Sequence, residues 1–334
     1  MLPNDVETLV PLLDRHWGLR PAGMQVLSSG HTNRSFLVRC ASDTVVLRVS
    51  WPGKPIEQAH REAAILSALG AGPFPHALAK RRPTLSGQPE TQTGDGRRLH
   101  VFEHIAGQPG LPEDRDAGVL DAMRTLARLH AAMESIPANA ASPVDWLQRR
   151  FSRVAARPAP MLAATLSAAY DTVIDRIRAA LADATGWIWG PVHWVHGDYH
   201  AGNLLYRDGR VNGVIDFDDV GQGSHWLEAA FAAFALSRDA SRDDAFVFDK
   251  RRWDAGAQAY ATLRHGTAPP WLRNRRGALL TLFCAEQTLI HLEAAQHELW
   301  TPGPGIGFLA GWRHLLAIAP GRDSCTNNAR LPHD

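Results

Sequence analysis

The sequence predicts an α+β protein of two lobes, with a small antiparallel sheet first and a larger, mainly helical lobe after it. Short apolar or alternating segments, separated by clusters of Gly, Pro and Thr, dominate about the first hundred residues and are typical of strands joined by turns. After Gly107 the apolar residues recur at the three- and four-residue spacing of helices. We therefore expect lobes at residues 1–105 and 106–320, followed by a polar, disordered tail at 321–334.

The composition is that of an ordinary globular protein, and it excludes several classes of function. The chain has 334 residues with 35 basic and 34 acidic side chains, so its formal charge of +1 gives no general attraction to nucleic acid or to an anionic membrane. No apolar run approaches the ~20 residues that span a bilayer, and the N-terminus lacks the pattern of a signal peptide. Three cysteines without paired spacing predict a reduced, cytoplasmic setting. We expect neither nucleic acid nor membrane as a partner, and nothing in the sequence indicates the oligomeric state.

The first lobe is predicted to combine two helices with several short strands. Apolar residues at helical spacing indicate a helix over 6–18, which Gly18 and Pro21 end. The β-branched stretch 44–49 is the most strand-like segment of the chain. The remaining elements are strands at 24–28, 35–38 and 99–105, a helix at about 57–69, and short strands and turns within 71–99.

The second lobe is predicted to be helical apart from three short strands. Residues 116–133 and the alanine-rich stretch 160–184 each have the spacing of a long helix. The short strands are expected within 187–195, 204–206 and 211–215. Helices are expected from about 224 to 318, interrupted at 269–270 and 302–307.

Three polar side chains around these strands have a spacing that suggests chemistry. Asp198 precedes Asn203 by five residues, and Asp216 follows Asn203 by thirteen. A hairpin over 204–215, with its turn at Asp208–Gly209, would bring Asn203 and Asp216 side by side. An amide oxygen and a carboxylate are hard donors that suit Mg²⁺ together with substrate phosphates. A further loop carboxylate, Asp198, suits proton acceptance from an attacking hydroxyl.

The segment His-Gly-Asp-Tyr-His-Ala-Gly-Asn at 196–203, with Ile-Asp-Phe-Asp-Asp at 215–219, resembles the catalytic motifs of the aminoglycoside phosphotransferase and choline kinase-like family. The resemblance implies a protein-kinase-like fold and transfer of the γ-phosphoryl group of ATP to a small-molecule hydroxyl. It assigns Asp198 as the base and Asn203 and Asp216 as ligands of Mg²⁺. It also gives His196 a structural role in the catalytic loop. Expected acceptors are an aminoglycoside or other antibiotic, an amino alcohol, a homoserine-like amino acid or a sugar.

The resemblance extends to the nucleotide side of the first lobe. Gly30 and Asn33 match a phosphate-covering loop, and Arg48 stands where the family places a strand Lys or Arg. Glu62 matches the family's helix glutamate and is expected to hold Arg48. The chain has only three lysines, and none precedes Lys54, so a strand lysine is excluded unless Lys54 reaches in from the following loop.

The adenine hinge and the acceptor pocket are also implied by the resemblance. Backbone groups near Glu103 and Ile105 are expected to bond the adenine of ATP. The acceptor pocket is expected to follow the metal aspartate, where carboxylates would suit a cationic acceptor. Its expected residues are Asp218, Asp219 and Glu228, with Glu286, Glu293 and the tryptophans Trp226, Trp253, Trp271 and Trp300 as further candidates.

Three other functions remain open at this point. A protein kinase acting on Ser or Thr would have the same fold. A metallohydrolase could hold zinc through His193, His196, Asp198 and His200, although that set leaves Asn203 and Asp216 without a role. A nucleotide-binding pseudoenzyme would retain the fold without turnover.

Overall fold

The structure is a computed structural model that describes residues 4–29, 33–140, 142–187, 189–239, 241–242, 245–264, 266–301 and 307–318. The expected tail at 321–334 and the expected phosphate-loop residue Gly30 lie outside these residues. None of the described helices has both the length and the apolar character needed to cross a bilayer.

The first part of the chain builds a six-stranded sheet. In chain order its elements are α1 (Asn4–Trp17), β1 (Pro21–Ser29), β2 (Asn33–Cys40), β3 (Thr44–Ser50), α2 (Ile56–Gly70), β4 (Ala77–Leu78), β5 (Arg81–Arg82), β6 (Thr91–Gln92) and β7 (Arg98–Glu103). The strands follow the order β1-β2-β3-β7-β5, and β6 also pairs with β7. Every pairing in this sheet is antiparallel, which confirms the predicted sheet.

A separate small core holds α1 against the sheet. Leu13 and Trp17 of the helix are buried together with Phe36, Leu47 and Val101, which alternate along the strands. Helix α2 carries its own buried stripe, and Glu62 lies on that stripe with 1% of its surface exposed. A carboxylate this deeply buried requires a cationic partner, and the adjacent strand β3 supplies it, as described below.

The second part of the chain is mainly helical. Its elements are β8 (Gln108–Pro109), α3 (Arg115–Met133), α4 (Asp145–Ala155), α5 (Ala164–Ser167), α6 (Tyr170–Thr185), β9 (Val192–Val195), β10 (Leu204–Arg207), β11 (Arg210–Val214), β12 (Gly221–Ser224), α7 (His225–Ser237), α8 (Lys250–Arg264), α9 (Pro270–Asn274), α10 (Arg276–Gln296) and α11 (Phe308–Ala317). Two short 3-10 turns, Ala201–Asn203 and Phe217–Asp219, flank the hairpin of β10 and β11. A second, large apolar core joins these helices to the hairpin.

The two parts share a four-stranded sheet of order β4-β11-β10-β8. Gly107 has φ +143°, and a Cβ there would lie 3.0 Å from the carbonyl oxygen of Tyr206. This close approach sets β8 beside β10. Strand β4 pairs with β11 in parallel, so Ala77–Leu78 adds to a sheet made mostly by the second part. The expected boundary at 105–106 falls between β7 and β8.

Two helices differ from the sequence-based expectation. The stretch 160–184 is not one helix, because Ala164–Ser167 buries no residue and only Tyr170–Thr185 is anchored by its buried face. Helix α4 was not predicted at all. Its spacing of Trp146, Leu147, Arg150 and Val154 is helical, but an arginine in the buried stripe obscures the apolar pattern.

Candidate active site

The loop between β9 and β10 holds Asp198 beside Asn203. The side-chain nitrogen of Asn203 donates to the carbonyl oxygen of Asp198 at 2.9 Å and to its Oδ2 at 3.1 Å. The backbone N–H of Ile215 donates to the carbonyl oxygen of Asn203 at 3.0 Å. The predicted hairpin is therefore confirmed, with Asp208 and Gly209 at its turn, and it carries the chain back to the residue before Asp216.

Asp216 follows the hairpin in a left-handed conformation, with φ 63° and ψ 64°. This region is uncommon for a residue other than Gly, so the surroundings must hold it. The next residue, Phe217, is fully buried and packs on the ring of His196 at a centroid distance of 4.5 Å. Arg48 Nη1 donates to Asp216 Oδ1 at 3.2 Å. Because Phe217 is anchored in the core and Asp216 has a left-handed backbone conformation, the Asp216 side chain remains 39% exposed in the cleft.

His196 and Gly197 connect the two loops that carry Asp198 and Asp216. His196 Nε2 lies 3.0 Å from the carbonyl oxygen of Ile215, so this nitrogen carries the proton, and Nδ1 accepts from the N–H of Asp198 at 3.3 Å. Gly197 has φ +85°, and a Cβ there would lie 2.0 Å from the carbonyl oxygen of Asp219. A larger residue is therefore excluded where the loops touch. The contacts of His196 agree with the structural role that the resemblance implies.

Arg48 links the sheet to α2. Its guanidinium forms an ion pair with Glu62, and Arg81 Nη2 contacts the same Glu62 oxygen at 2.5 Å. The register of β3 with β2 and β7 places Arg48 opposite Ser35 and His100. Because its fork reaches both Glu62 and Asp216, Arg48 joins the sheet, α2 and the Asp216 loop in one ion-pair network.

Lys54 also enters the cleft, from the loop between β3 and α2. Its Nζ forms an ion pair with Asp218, and Asn33 Nδ2 donates to the other oxygen of Asp218 at 3.0 Å. Gln58 Nε2 donates to the backbone oxygen of Asp218 at 3.0 Å. Arg48 and Lys54 therefore both enter the cleft, and both lie near Asp218, because Arg48 Nη2 is 3.8 Å from Asp218 Oδ1.

Glu228 of α7 lies beneath the loop at 196–203 that carries Asp198. It accepts hydrogen bonds from the backbone N–H groups of His196 at 2.9 Å and Gly197 at 2.6 Å. His130 Nε2 also lies 2.7 Å from its Oε2, and His130 Nδ1 lies 2.8 Å from the hydroxyl of Tyr260. Both oxygens of this buried carboxylate are thus engaged by the protein itself.

Arg150 of α4 is a buried cation that no pattern in the sequence singles out. It contacts Asp219 Oδ1 at 2.5 Å, Glu293 Oε2 at 3.3 Å and Glu286 Oε1 at 3.9 Å. Trp146, on the same helix, donates its indole N–H to Glu286 at 3.1 Å. Helix α4 therefore holds together three acidic side chains that the sequence associated with the acceptor pocket.

The electrostatics differ from one carboxylate to the next. Burial alone would raise the pKa of Asp198, but His200, His196 and Arg150 lower it to about 2. Desolvation and the neighbouring Asp218 raise the pKa of Asp216 above its usual range, against the effect of Arg48. Asp198 is consequently an ionised carboxylate at neutral pH, where it can accept a proton or orient a hydroxyl.

The residues expected at the adenine hinge have other contacts within the protein. The backbone N–H of Glu103 donates to the Lys80 carbonyl oxygen at 2.9 Å, and the Ile105 side chain packs near Gly213.

The four side chains of the alternative zinc site do not converge among the described residues. His196 bonds to the hairpin, His200 lies 3.4 Å from Asp198, and His193 stacks with a different histidine. A zinc centre made by this set is therefore wrong.

A cavity of about 350 Å³ opens beside the loop that carries Asp198. Asp198 and His200 line it on the loop side, and Glu286 lines it from α10. Its apolar walls include Trp146, Phe231 and Phe283. None of the four tryptophans expected in the acceptor pocket lines this cavity, and neither do Asp218, Asp219 and Glu293, whereas Glu228 does.

The comparison with protein families agrees with this geometry. A model described as the phosphotransferase enzyme family matches residues 23–270, about three quarters of the chain. No curated protein sequence matches the chain at a significant level.

Several solved structures have a similar fold. The macrolide 2'-phosphotransferase MphH from Brachybacterium faecium aligns over 95% of this chain and 99% of its own, with 20% identity and a TM-score of 0.59. The amicoumacin kinase hAmiN, in complex with AMP-PNP, Ca²⁺ and Ami, aligns over 93% of each chain with 12% identity and a TM-score of 0.68. A microcompartment-associated aminopropanol kinase aligns over 93% of this chain and 94% of its own, with 18% identity and a TM-score of 0.63. At these identities the likeness shows the fold alone, which is the kinase-like fold that the sequence predicts.

Proposed function

This chain belongs to the phosphotransferase enzyme family, and from that premise we propose that it transfers the γ-phosphoryl group of ATP to a hydroxyl group of a small molecule. The observation that carries the proposal is the loop and hairpin that hold Asp198 against Asn203 and lead on to Asp216, with Asp198 lining the cavity and Arg48 reaching Asp216 from the sheet. Phosphoryl transfer requires positioning and charge neutralisation more than covalent chemistry, and these groups supply both.

We propose Asp198 as the group that receives the proton of the acceptor hydroxyl. It lines the cavity, so a hydroxyl bound there can reach it. Its low pKa keeps it ionised, and Asn203 holds its carboxylate in place. In a loose transfer transition state the proton leaves late, so a weakly basic carboxylate that orients the hydroxyl is sufficient.

The residues expected to hold Mg²⁺ fit a hard divalent cation. Asn203 bonds to Asp198 through its nitrogen, which leaves the amide oxygen as the donor for a cation. Asp216 adds a carboxylate in the same cleft. When bound, Mg²⁺ would neutralise charge on the phosphates. The solved complex of hAmiN with AMP-PNP and Ca²⁺ supports a nucleotide and a divalent cation as ligands of this fold.

We further propose that the sheet binds the nucleotide. Arg48, held by Glu62, offers a permanent positive charge toward the phosphates. We assign the covering of these phosphates to Gly30, which is outside the described residues, and to Asn33 at the start of β2. Backbone groups of Glu103 and Ile105, other than the Glu103 N–H that the Lys80 carbonyl already holds, would bond the adenine. In this arrangement Arg48 has the role that a strand lysine has in related kinases.

The cavity supports a small acceptor with a positive charge. Its volume of about 350 Å³ lies at the lower end of the range for ligand pockets, which favours an amino alcohol, an amino acid or a single sugar ring. The ionised Asp198 and three aromatic rings in its wall suit a cationic group, whereas the raised pKa of Glu286 keeps that carboxyl neutral and Arg238 adds a positive charge to the same wall. The proposal leaves Asp218, Asp219 and Glu228 as positioning residues, because Lys54, Arg150 and the backbone of the catalytic loop already engage them.

The test is phosphate transfer from ATP to a panel of amino alcohols, homoserine, sugars, aminoglycosides and macrolides. Asp198→Ala should lower kcat by roughly 10²–10⁴-fold while ATP still binds. Asp175→Ala, an exposed aspartate on α6, is the matched control and should keep full activity. Full turnover by Asp198→Ala would overturn the assignment, and transfer to Ser or Thr of proteins but to no small molecule would favour the protein-kinase alternative.

A further inference from the structure

Three metal-ligating side chains converge outside the catalytic cleft. Glu134 follows the end of α3, His193 lies in β9, and His225 begins α7. Glu134 Oε1 is 3.9 Å from His193 Nε2 and 4.0 Å from His225 Nδ1, and one ligand atom of each residue lies within 4.8 Å of the others. Among the described residues, this is the one group of three such side chains that meets so closely.

We propose that Glu134, His193 and His225 form a binding site for a divalent transition-metal ion of the Zn²⁺ class. Two imidazole nitrogens and one carboxylate oxygen are a common zinc ligand set, and a water molecule can complete the tetrahedron. Bonds of about 2.0–2.1 Å would place the ligand atoms roughly 3.3 Å apart, so atoms up to 4.8 Å apart need to close by up to about 1.5 Å. The His193 ring stacks on His225 at a centroid distance of 4.6 Å and an angle of 24°, so it must also turn toward the ion. Hard cations such as Mg²⁺ prefer all-oxygen sites, which separates this site from the one proposed in the cleft.

The hydrogen bond of His225 leaves the correct nitrogen available. Its Nε2 lies 2.9 Å from the carbonyl oxygen of Trp194, which can only accept, so the proton is on Nε2 and the lone pair is on Nδ1. A backbone carbonyl that holds the far nitrogen of a ligating histidine is the usual support of such a ligand. The ring of His130 also stacks on His225 at 3.9 Å with an angle of 7°, which restrains the ring plane.

The site is open to solvent on one side. Glu134 has 40% of its side chain exposed and His193 has 21%, so an ion can enter without unfolding of the core. Arg264 is the competing cation, because its guanidinium forms an ion pair with the same Glu134 oxygen. Metal binding must therefore displace Arg264 or move it to the second carboxylate oxygen. Because Arg264 competes with the metal ion for Glu134, removal of Arg264 should strengthen metal binding, whereas removal of a ligand should weaken it.

The experiment is calorimetric titration of the tag-free, full-length protein with ZnCl₂ in excess Mg²⁺. We expect one Zn²⁺ per chain, and Co²⁺ should give the visible absorption of a tetrahedral site. His193→Ala should weaken the affinity at least about tenfold, and Arg264→Gln should strengthen it. His60→Ala, an exposed histidine on α2, should change nothing.

The Arg264 variant protects the test against a folding artefact, because a damaged fold does not produce tighter binding. The absence of stoichiometric binding by the wild-type protein would overturn the proposal. So would equal affinity of His193→Ala and the wild type, or weaker binding by Arg264→Gln. None of these measurements involves phosphate transfer, so they leave the proposed function untouched.

Discussion

Lys54 forms an ion pair with Asp218, a partner 164 residues away in the sequence, and the lysine side chain is completely buried. Arg48, six residues earlier, contacts Glu62 and Asp216 and also lies 3.8 Å from Asp218. The two basic residues thus overlap at the buried Asp218, where Lys54 is the nearer cation, and only the strand arginine also contacts the more exposed Asp216.

Loss of Lys54 should destabilise the fold. Lys54→Met leaves the Asp218 carboxylate buried without its nearest cation, so we expect the free energy of unfolding to fall by about 3–5 kcal/mol in urea titrations. The double variant Lys54→Met/Asp218→Asn should recover much of that loss. Lys250→Met, an exposed lysine at the start of α8, should stay within about 0.5 kcal/mol of the wild type. Equal stability of the Lys54 and Lys250 variants would show that the ion pair contributes nothing.

Substitution of Arg48 should weaken nucleotide binding, less strongly for Arg48→Lys than for Arg48→Met. Arg48→Lys retains a charge but loses the fork that reaches Glu62 and Asp216 together, so part of the affinity for an ATP analogue should remain. Arg48→Met removes the charge and should weaken binding further, by roughly tenfold or more relative to the wild type. The measurement is titration with a non-hydrolysable analogue in Mg²⁺. Identical affinities of the Lys and Met variants would contradict the role of the charge.

Glu228 should act mainly through the loop at 196–203, because protein groups already engage both of its oxygens. Glu228→Gln replaces a carboxylate oxygen that accepts from the N–H of His196 or Gly197, and each charged hydrogen bond is worth about 1.5–3 kcal/mol. We therefore expect kcat to fall roughly 10–100-fold, with little change in KM for ATP. Glu57→Gln, an exposed glutamate in the first turn of α2, is the matched control. A raised KM for the acceptor with unchanged kcat would instead indicate direct acceptor contact.

Neighbouring arginines on α4 offer a comparison of buried and exposed ion pairs. Arg150→Met leaves Asp219, Glu286 and Glu293 without a shared cation, and the free energy of unfolding should fall by about 3–5 kcal/mol. Arg149 is 67% exposed and pairs with Asp145 within the same helix, so Arg149→Met should cost less than about 1 kcal/mol. Similar losses for the two variants would mean that the buried network does not stabilise the fold.

Glu286 should make stability depend on pH. Burial raises the pKa of its carboxyl to about 8 from a usual 4.5, despite the nearby Arg150. Between these values the folded chain keeps a proton that the unfolded chain releases, so the free energy of unfolding falls as pH rises through this window and levels off above it. The slope from this group is at most about 1.4 kcal/mol per pH unit. Urea titrations between pH 5 and 9 should show a flatter profile for Glu286→Gln, and identical profiles would contradict the raised pKa.

The sequence was sufficient for the parts of the site that depend on local structure. Asp198, Asn203 and Asp216 lie within nineteen residues, and a short hairpin joins the last two, so their spacing already implied their proximity. The antiparallel sheet followed by helices was likewise visible in the apolar periodicity. Helix α4 escaped detection because Arg150 interrupts its apolar stripe, and that arginine is buried only through carboxylates on other elements.

The sequence by itself therefore determined the fold class, the family and the position of the segment 196–219 that carries the expected catalytic residues, because each depends on residue types at short, regular spacing. Only the tertiary structure decided which cation each carboxylate takes. Lys54 with Asp218 and Arg150 with Glu293 are pairs separated by 164 and 143 residues. Glu228 reaches the catalytic loop, and Glu134 reaches His193 and His225, in the same long-range way. The packing of helices and sheet removes these charged side chains from water. A buried charge is costly unless an opposite charge or a hydrogen-bond donor lies next to it, and only the tertiary fold decides which group that is.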